Sequence, residues 1–90
     1  MSRYQLSPDA ITQEVAGEMV ILDLGSEVYF SLDEVGTRIW QMLASGRSIP
    51  EIMESLLEEY DVSAAELEAD VLALLASLDE AGLVSPLEDA

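Results

Sequence analysis

Glu27-Val28-Tyr29-Phe30-Ser31-Leu32-Asp33-Glu34-Val35-Gly36 passes from an alternating strand pattern into a helix start with no linker between them. Val28, Phe30 and Leu32 fall on one face of the extended half, and Tyr29 and Ser31 on the other. The residues before this junction read as strand and those after it as helix.

Working back from the junction, Glu18-Met19-Val20-Ile21-Leu22-Asp23-Leu24 is rich in aliphatic residues and suits a central strand. Gly25-Ser26 matches a two-residue hairpin turn with Gly at positive φ, so the flanking strands should pair antiparallel. Ile11-Thr12-Gln13-Glu14-Val15 alternates more weakly, with Ile11, Gln13 and Val15 on one face, and Ala16-Gly17 supplies a tight turn after it. Met1 to Ala10 reads as a polar, loosely held lead.

Working forward, Ser31-x-x-Glu34, Ser48-x-x-Glu51 and Ser63-x-x-Glu66 all fit the capping box, in which a Ser oxygen and a Glu carboxylate satisfy orphaned backbone N–H groups. By this reading Ser31 serves both as a strand residue and as the first N-cap. The first helix, about 33–44, carries Val35, Ile39, Met42 and Leu43 on a stripe flanked by Trp40, with Gly46 at its end. The second, about 49–60, has Pro50 in its first turn and buries Ile49, Ile52, Met53, Leu56, Leu57 and Tyr60. The third, about 64–81, carries Leu67, Val71, Leu74, Leu75 and Leu78, while Leu72 falls off that stripe. Gly82-Leu83-Val84 suits a capping turn with a hydrophobic return contact, and Ser85 to Ala90 reads as a frayed acidic tail.

The pattern predicts an α+β domain of winged helix-turn-helix-like type: a three-stranded antiparallel sheet followed by three helices. Ninety residues, 50% of them hydrophobic, suit one domain over 1–90, with an ordered core of about 11–84.

Composition narrows the function. With no Cys and no His, thiolate chemistry, the commonest general base and the commonest metal ligand are all missing, so no catalytic residue, metal site or cofactor is expected. No apolar run approaches the roughly 18 to 20 residues of a membrane span. The start Met1-Ser2-Arg3-Tyr4 lacks a signal peptide's apolar core, so a soluble cytoplasmic protein is expected.

Three basic residues stand against 19 acidic, for a net charge of −16. From Ser48 to Ala90 there are 12 acidic residues and no Lys or Arg. Such a surface repels phosphate backbones and keeps identical strand edges apart, so no nucleic-acid partner and a monomeric state are expected. The helix that would read DNA in a winged helix carries Glu66, Glu68 and Asp70 instead of cations. The alternative is an acyl carrier-like or other acidic protein–protein adaptor. Ser31-Leu32-Asp33 has the wrong order for a carrier's Asp-Ser-Leu signature, and the strands before it do not suit an all-helical carrier.

Val28-Tyr29-Phe30-Ser31-Leu32-Asp33-Glu34-Val35-Gly36-Thr37-Arg38-Ile39-Trp40 resembles the family of pyrroloquinoline-quinone biosynthesis protein D, in which a Tyr, a Leu-Asn/Asp, a Gly and an Ile-Trp recur at this spacing. Ile52 to Leu57, Tyr60-Asp61-Val62, Asp70-Val71 and Gly82-Leu83 continue the likeness, which covers about Ile11 to Val84. Within the family the chain is most similar to free-standing members that serve lasso-peptide pathways.

The resemblance implies a non-catalytic recognition element that binds the leader of a ribosomally made precursor peptide and delivers it to a leader peptidase and a cyclase. The leader is expected to add as an antiparallel strand beside the third strand, with its apolar side chains in a groove against the third helix. Carried over residue by residue, the peptide-binding positions are Glu27, Val28, Tyr29, Phe30, Ser31 and Leu32 on the strand, and Leu67, Asp70, Val71 and Leu74 on the helix. An open edge is physically suited to such a guest, since its unpaired N–H and C=O groups supply affinity and side-chain pockets supply specificity.

Overall fold

The structure, a computed structural model, describes residues 3–87. Among the described residues, five strands and three helices run in the order β1 (Tyr4–Leu6), β2 (Ala10–Val15), β3 (Glu18–Asp23), β4 (Val28–Leu32), α1 (Glu34–Ala44), α2 (Ile49–Glu59), α3 (Ala64–Glu80) and β5 (Val84–Pro86). The expected three-stranded antiparallel sheet is present in the order β2-β3-β4. Ile21 lies opposite Thr12 on one side and Phe30 on the other. One face of this sheet packs on the helices through Met19, Ile21 and Leu32, all buried.

The two hairpins differ. Val15 pairs with Glu18, leaving Ala16-Gly17 as a two-residue turn with both residues at positive φ, as a type I′ turn requires. The second departs from the expected Gly25-Ser26 turn. Asp23 pairs with Val28, so four residues connect the strands, and the positive φ falls on Glu27 (60°), not on Gly25. The cause lies in the side chain of Asp23. Its carboxylate is buried and accepts from the Gly25 N–H (3.2 Å) and the Ser26 hydroxyl (3.1 Å), while the Glu27 N–H donates to the Asp23 carbonyl at 2.7 Å. An Asp that bonds the backbone two residues on dictates the loop more strongly than a Gly that merely permits a turn.

The expected capping box is complete at α2 and half-formed at α3, and α1 is capped by a different residue. Ser48 and Glu51 close a full capping box at α2, with Pro50 in the first turn, and Ser63 accepts from the Glu66 N–H at α3. At α1 the cap is Asp33, not Ser31: the Asp33 carboxylate accepts from the Gly36 N–H at 2.8 Å. Ser31 is still paired with Val20 in the sheet, too far upstream to reach an orphan N–H, so it serves the strand alone. Gly46 and Gly82 both take positive φ just past α1 and α3, and the Leu83 N–H returns to the Leu78 carbonyl at 2.9 Å.

The core joins Trp40, Ile39, Met42 and Leu43 of α1, Ile52 and Leu56 of α2, and Leu67, Val71, Leu75 and Leu78 of α3. Leu57, expected on the buried stripe of α2, is 39% exposed, because it lies about 100° around the helix from Leu56, which takes the core position. Leu72 is exposed as well. On the sheet's outer face Ile11, Val15, Val20 and Tyr29 are exposed, so the apolar side of β2 turns away from the helices.

The lead and the tail are corrected by a second sheet. Tyr4–Leu6 pairs antiparallel with Val84–Pro86, and the Ser7 N–H donates to the Leu83 carbonyl at 2.9 Å. Leu83 and Val84 are buried and β1 packs on α1, so Tyr4–Leu6 and Val84–Pro86 belong to the folded unit, in segments read from the sequence as a loose lead and a frayed tail. Three-residue strands carry too little periodicity to be read from a pattern. The expected fraying at Glu88, Asp89 and Ala90 lies outside the described residues.

Two outcomes test these caps. Asp33→Ala should cost about 1 kcal/mol in urea denaturation, and Ser31→Ala less than about 0.5 kcal/mol. The reverse order would restore Ser31 as the cap. Glu51 is held below the ordinary Glu pKa by the Ser48 backbone N–H and then by the Ser48 hydroxyl. A depressed carboxyl favours the fold above its unfolded pKa, and that contribution is lost as pH falls through the folded value. An NMR titration should find Glu51 low, and Ser48→Ala, which removes the hydroxyl but keeps the backbone N–H, should move it only part of the way back up; a Glu51 at its ordinary value in the unaltered chain would contradict the reciprocal cap.

Candidate functional site

The β4 strand is bonded to β3 along one edge, and among the described residues no strand pairs with its other edge. Because α1 begins one residue after the Asp33 cap, its first turn stands against the end of that strand. Gly36 makes the approach close: a Cβ there would meet the Leu32 side chain at 3.2 Å and the Asp33 carboxylate at 3.3 Å. The Thr37 hydroxyl also donates toward the Leu32 carbonyl, at 3.5 Å.

Beside this junction lies a cleft of about 520 Å³. Ser31 and Leu32 of β4 form one wall, the first turns of α1 form the floor through Asp33, Val35, Gly36 and Ile39, and Asp70 and Leu74 of α3 close the far side. The lining is mixed, with aliphatic side chains below and carboxylates at the rim. Asp33 spends its carboxylate on the helix cap, whereas Asp70 is exposed and makes no hydrogen bond or ion pair among the described residues. A bound backbone N–H or a cation is the chemistry Asp70 can meet.

Of the residues named from the sequence, the cleft brings together Ser31, Leu32, Asp70 and Leu74. Val28 and Phe30 are half-buried on the core face of β4, and Tyr29 points outward at 71% exposure. Glu27 sits in the hairpin connection, not in the strand. Leu67 and Val71 are 4% and 0% exposed, so their side chains belong to the core and offer the cleft no surface. The sequence reading did not assign Asp33, Val35, Gly36 and Ile39 to the site. The signal for them was the missing linker, which obliges the first turn of α1 to border the strand.

Among the described residues no cluster of potential metal ligands occurs, and no helix is long and apolar enough to cross a membrane.

An open strand edge running into a half-apolar cleft beneath a helix is an arrangement able to take an extended peptide. Residues 18–84 match the family described as coenzyme PQQ synthesis protein D (PqqD), and the chain belongs to that family. Curated relatives from three strains of Xanthomonas oryzae pv. oryzae, each called PqqA binding protein, are 36% identical over 61 residues, covering 68% of this chain and 66% of theirs. The match therefore spans just under two thirds of those relatives. Among solved structures, TbiB1 in complex with the TbiA(β) leader peptide superimposes with a TM-score of 0.86 at 32% identity, covering 94% of this chain and 99% of that one. A lasso peptide synthetase B1 complexed with the leader peptide gives 0.84 at 32% identity, over 94% and 100%. The winged-helix-like architecture of this chain is that of these neighbours.

Proposed function

We propose that this chain is a non-catalytic carrier for the leader segment of a ribosomally made precursor peptide, of lasso type. The observation that carries the reading is the unpaired β4 edge opening into the cleft between α1 and α3, in a chain that superimposes closely on two proteins solved with leader peptides. The leader adds antiparallel to β4 through main-chain bonds and turns its apolar side chains toward Leu32, Val35, Ile39 and Leu74. Asp70 meets a donor at the far wall. Tyr29 and Val28 flank the guest strand; Leu67 and Val71 act from behind, holding α3 at the right distance.

Catalysis is disfavoured by the groups at hand. The chain has no His or Cys, and the cleft's ionisable side chains are Asp33 and Asp70, the first already committed to the helix cap. Binding and presentation are what remain, with a leader peptidase and a cyclase as the recipients. A ribosomal precursor is met in the cytoplasm, which is where this reading places the chain.

The test is fluorescence-polarisation titration with the labelled leader of a precursor encoded beside this gene. Leu74→Lys should weaken binding at least about tenfold, with circular dichroism confirming the fold, whereas Leu72→Ala should leave affinity unchanged. Equal losses from both would remove the cleft as the binding surface. N-methylation along the leader should weaken binding at alternate residues, since only every second N–H of an added strand faces β4. A loss without that period would contradict strand addition.

A further inference from the structure

A second groove, of about 540 Å³, runs between α2 and α3. Met53 and Leu57 of α2 and Leu72 of α3 form its apolar surface over the buried Val71, with Glu54 and Glu68 also lining it. Leu57 and Leu72 are 39% and 52% exposed. Single exposed leucines are unremarked on any surface, but two that line one groove, one from each helix, set apolar surface together against water, which is unfavourable. The rim compounds the cost. From Ser48 onward the chain has no Lys or Arg, and among the described residues the ion pair present is Arg38–Glu59, so Glu54 and Glu68 have no cationic partner.

From this the geometry points to a second docking surface: the α2/α3 groove takes an amphipathic helix of a partner protein, with an aliphatic stripe in the groove and Lys or Arg on its flanks. Charge selects the occupant. A second copy of this chain would set Glu54 and Glu68 against like charges in a molecule of net charge −16, whereas basic flanks answer both carboxylates at once. Shape agrees with a helix, because a groove between two packed helices accepts anchors spaced i, i+3, i+4 and i+7.

The surface is separate from the β4 cleft. Asp70 and Leu74 line that cleft, while Glu68 and Leu72 line this groove, and a two-residue offset turns a side chain roughly 200° around a helix. Two guests thus sit on opposite sides of α3, and the inference holds whether or not the β4 cleft takes a leader.

The test uses the full chain, ¹⁵N-labelled, and a synthetic peptide with Leu at i, i+3, i+4 and i+7 flanked by Lys and Arg. A permuted peptide of identical composition, its stripe broken, is the control. Saturable shifts should cluster at Met53, Leu57, Glu68 and Leu72, and the permuted peptide should bind at least about tenfold more weakly. Leu72→Ala and the pair Glu54→Lys with Glu68→Lys should each reduce affinity while circular dichroism stays unchanged. Equal binding of the permuted peptide would reduce the attraction to bulk charge and overturn the proposal. So would shifts centred on Ser31, Asp70 and Leu74, shifts on the sheet's outer face, an absence of saturation, or self-association in sedimentation that Leu72→Ala abolishes.

Discussion

The hydrogen bond from the Gly36 N–H to the Asp33 carboxylate fixes where β4 ends and α1 begins, and the candidate site hangs on that junction. A capped helix start has one preferred direction relative to the residue before it. With Asp33 as cap, Leu32 is the last strand residue and enters the core, and the first turn of α1 lies across the strand's end. Gly36 allows that turn to sit against Leu32, where an added Cβ would lie only 3.2 Å from the Leu32 side chain. The floor of the cleft is therefore a by-product of ending a strand and starting a helix within one residue.

A domain this small covers a modest share of its own apolar surface, and the β1–β5 sheet shows how the shortage is met. Leu83 and Val84 are buried beneath the returning N-terminal strand, while Tyr4 and Leu6 pack against the same core. The pairing closes the far end of α3 and α1 without using β4. Closure there leaves the outer edge of β4, like that of β2, unpaired among the described residues, as the addition of a guest strand would require. The excess of carboxylates works in the same direction, since like-charged chains resist pairing edge to edge.

How much of this was legible in the sequence depends on the reach of each signal. Long periodic segments were legible: all three helices, the two hairpins and the junction at Leu32-Asp33 stood in the pattern. Local contests between side chains were not. Asp33 takes the cap that Ser31 also offered, and the Asp23 carboxylate, by accepting from the Gly25 N–H, sets a longer turn than Gly25-Ser26 suggests. The short strands Tyr4–Leu6 and Val84–Pro86 were invisible because their stabilisation is tertiary. In the site, Ser31, Leu32, Asp70 and Leu74 were named through family likeness, whereas Leu67 and Val71 were carried along with them although helical spacing alone cannot say which side of a stripe is covered.

The third helix explains that last ambiguity. Leu67, Val71, Leu75 and Leu78 form a fully buried line, Asp70 and Leu74 border it on the β4 side, and Glu68 and Leu72 border it on the α2 side. A surface helix serving only the core would show one apolar stripe and a polar remainder. Here the apolar positions spread around much of the circumference, and each flank pairs an exposed or half-exposed leucine with a carboxylate that no cation of this chain neutralises among the described residues. Core packing accounts for the central line alone. The two flanks repeat one chemical arrangement on opposite sides of a single rigid element, so a guest on either side would meet aliphatic surface beside unpaired negative charge without displacing a guest on the other.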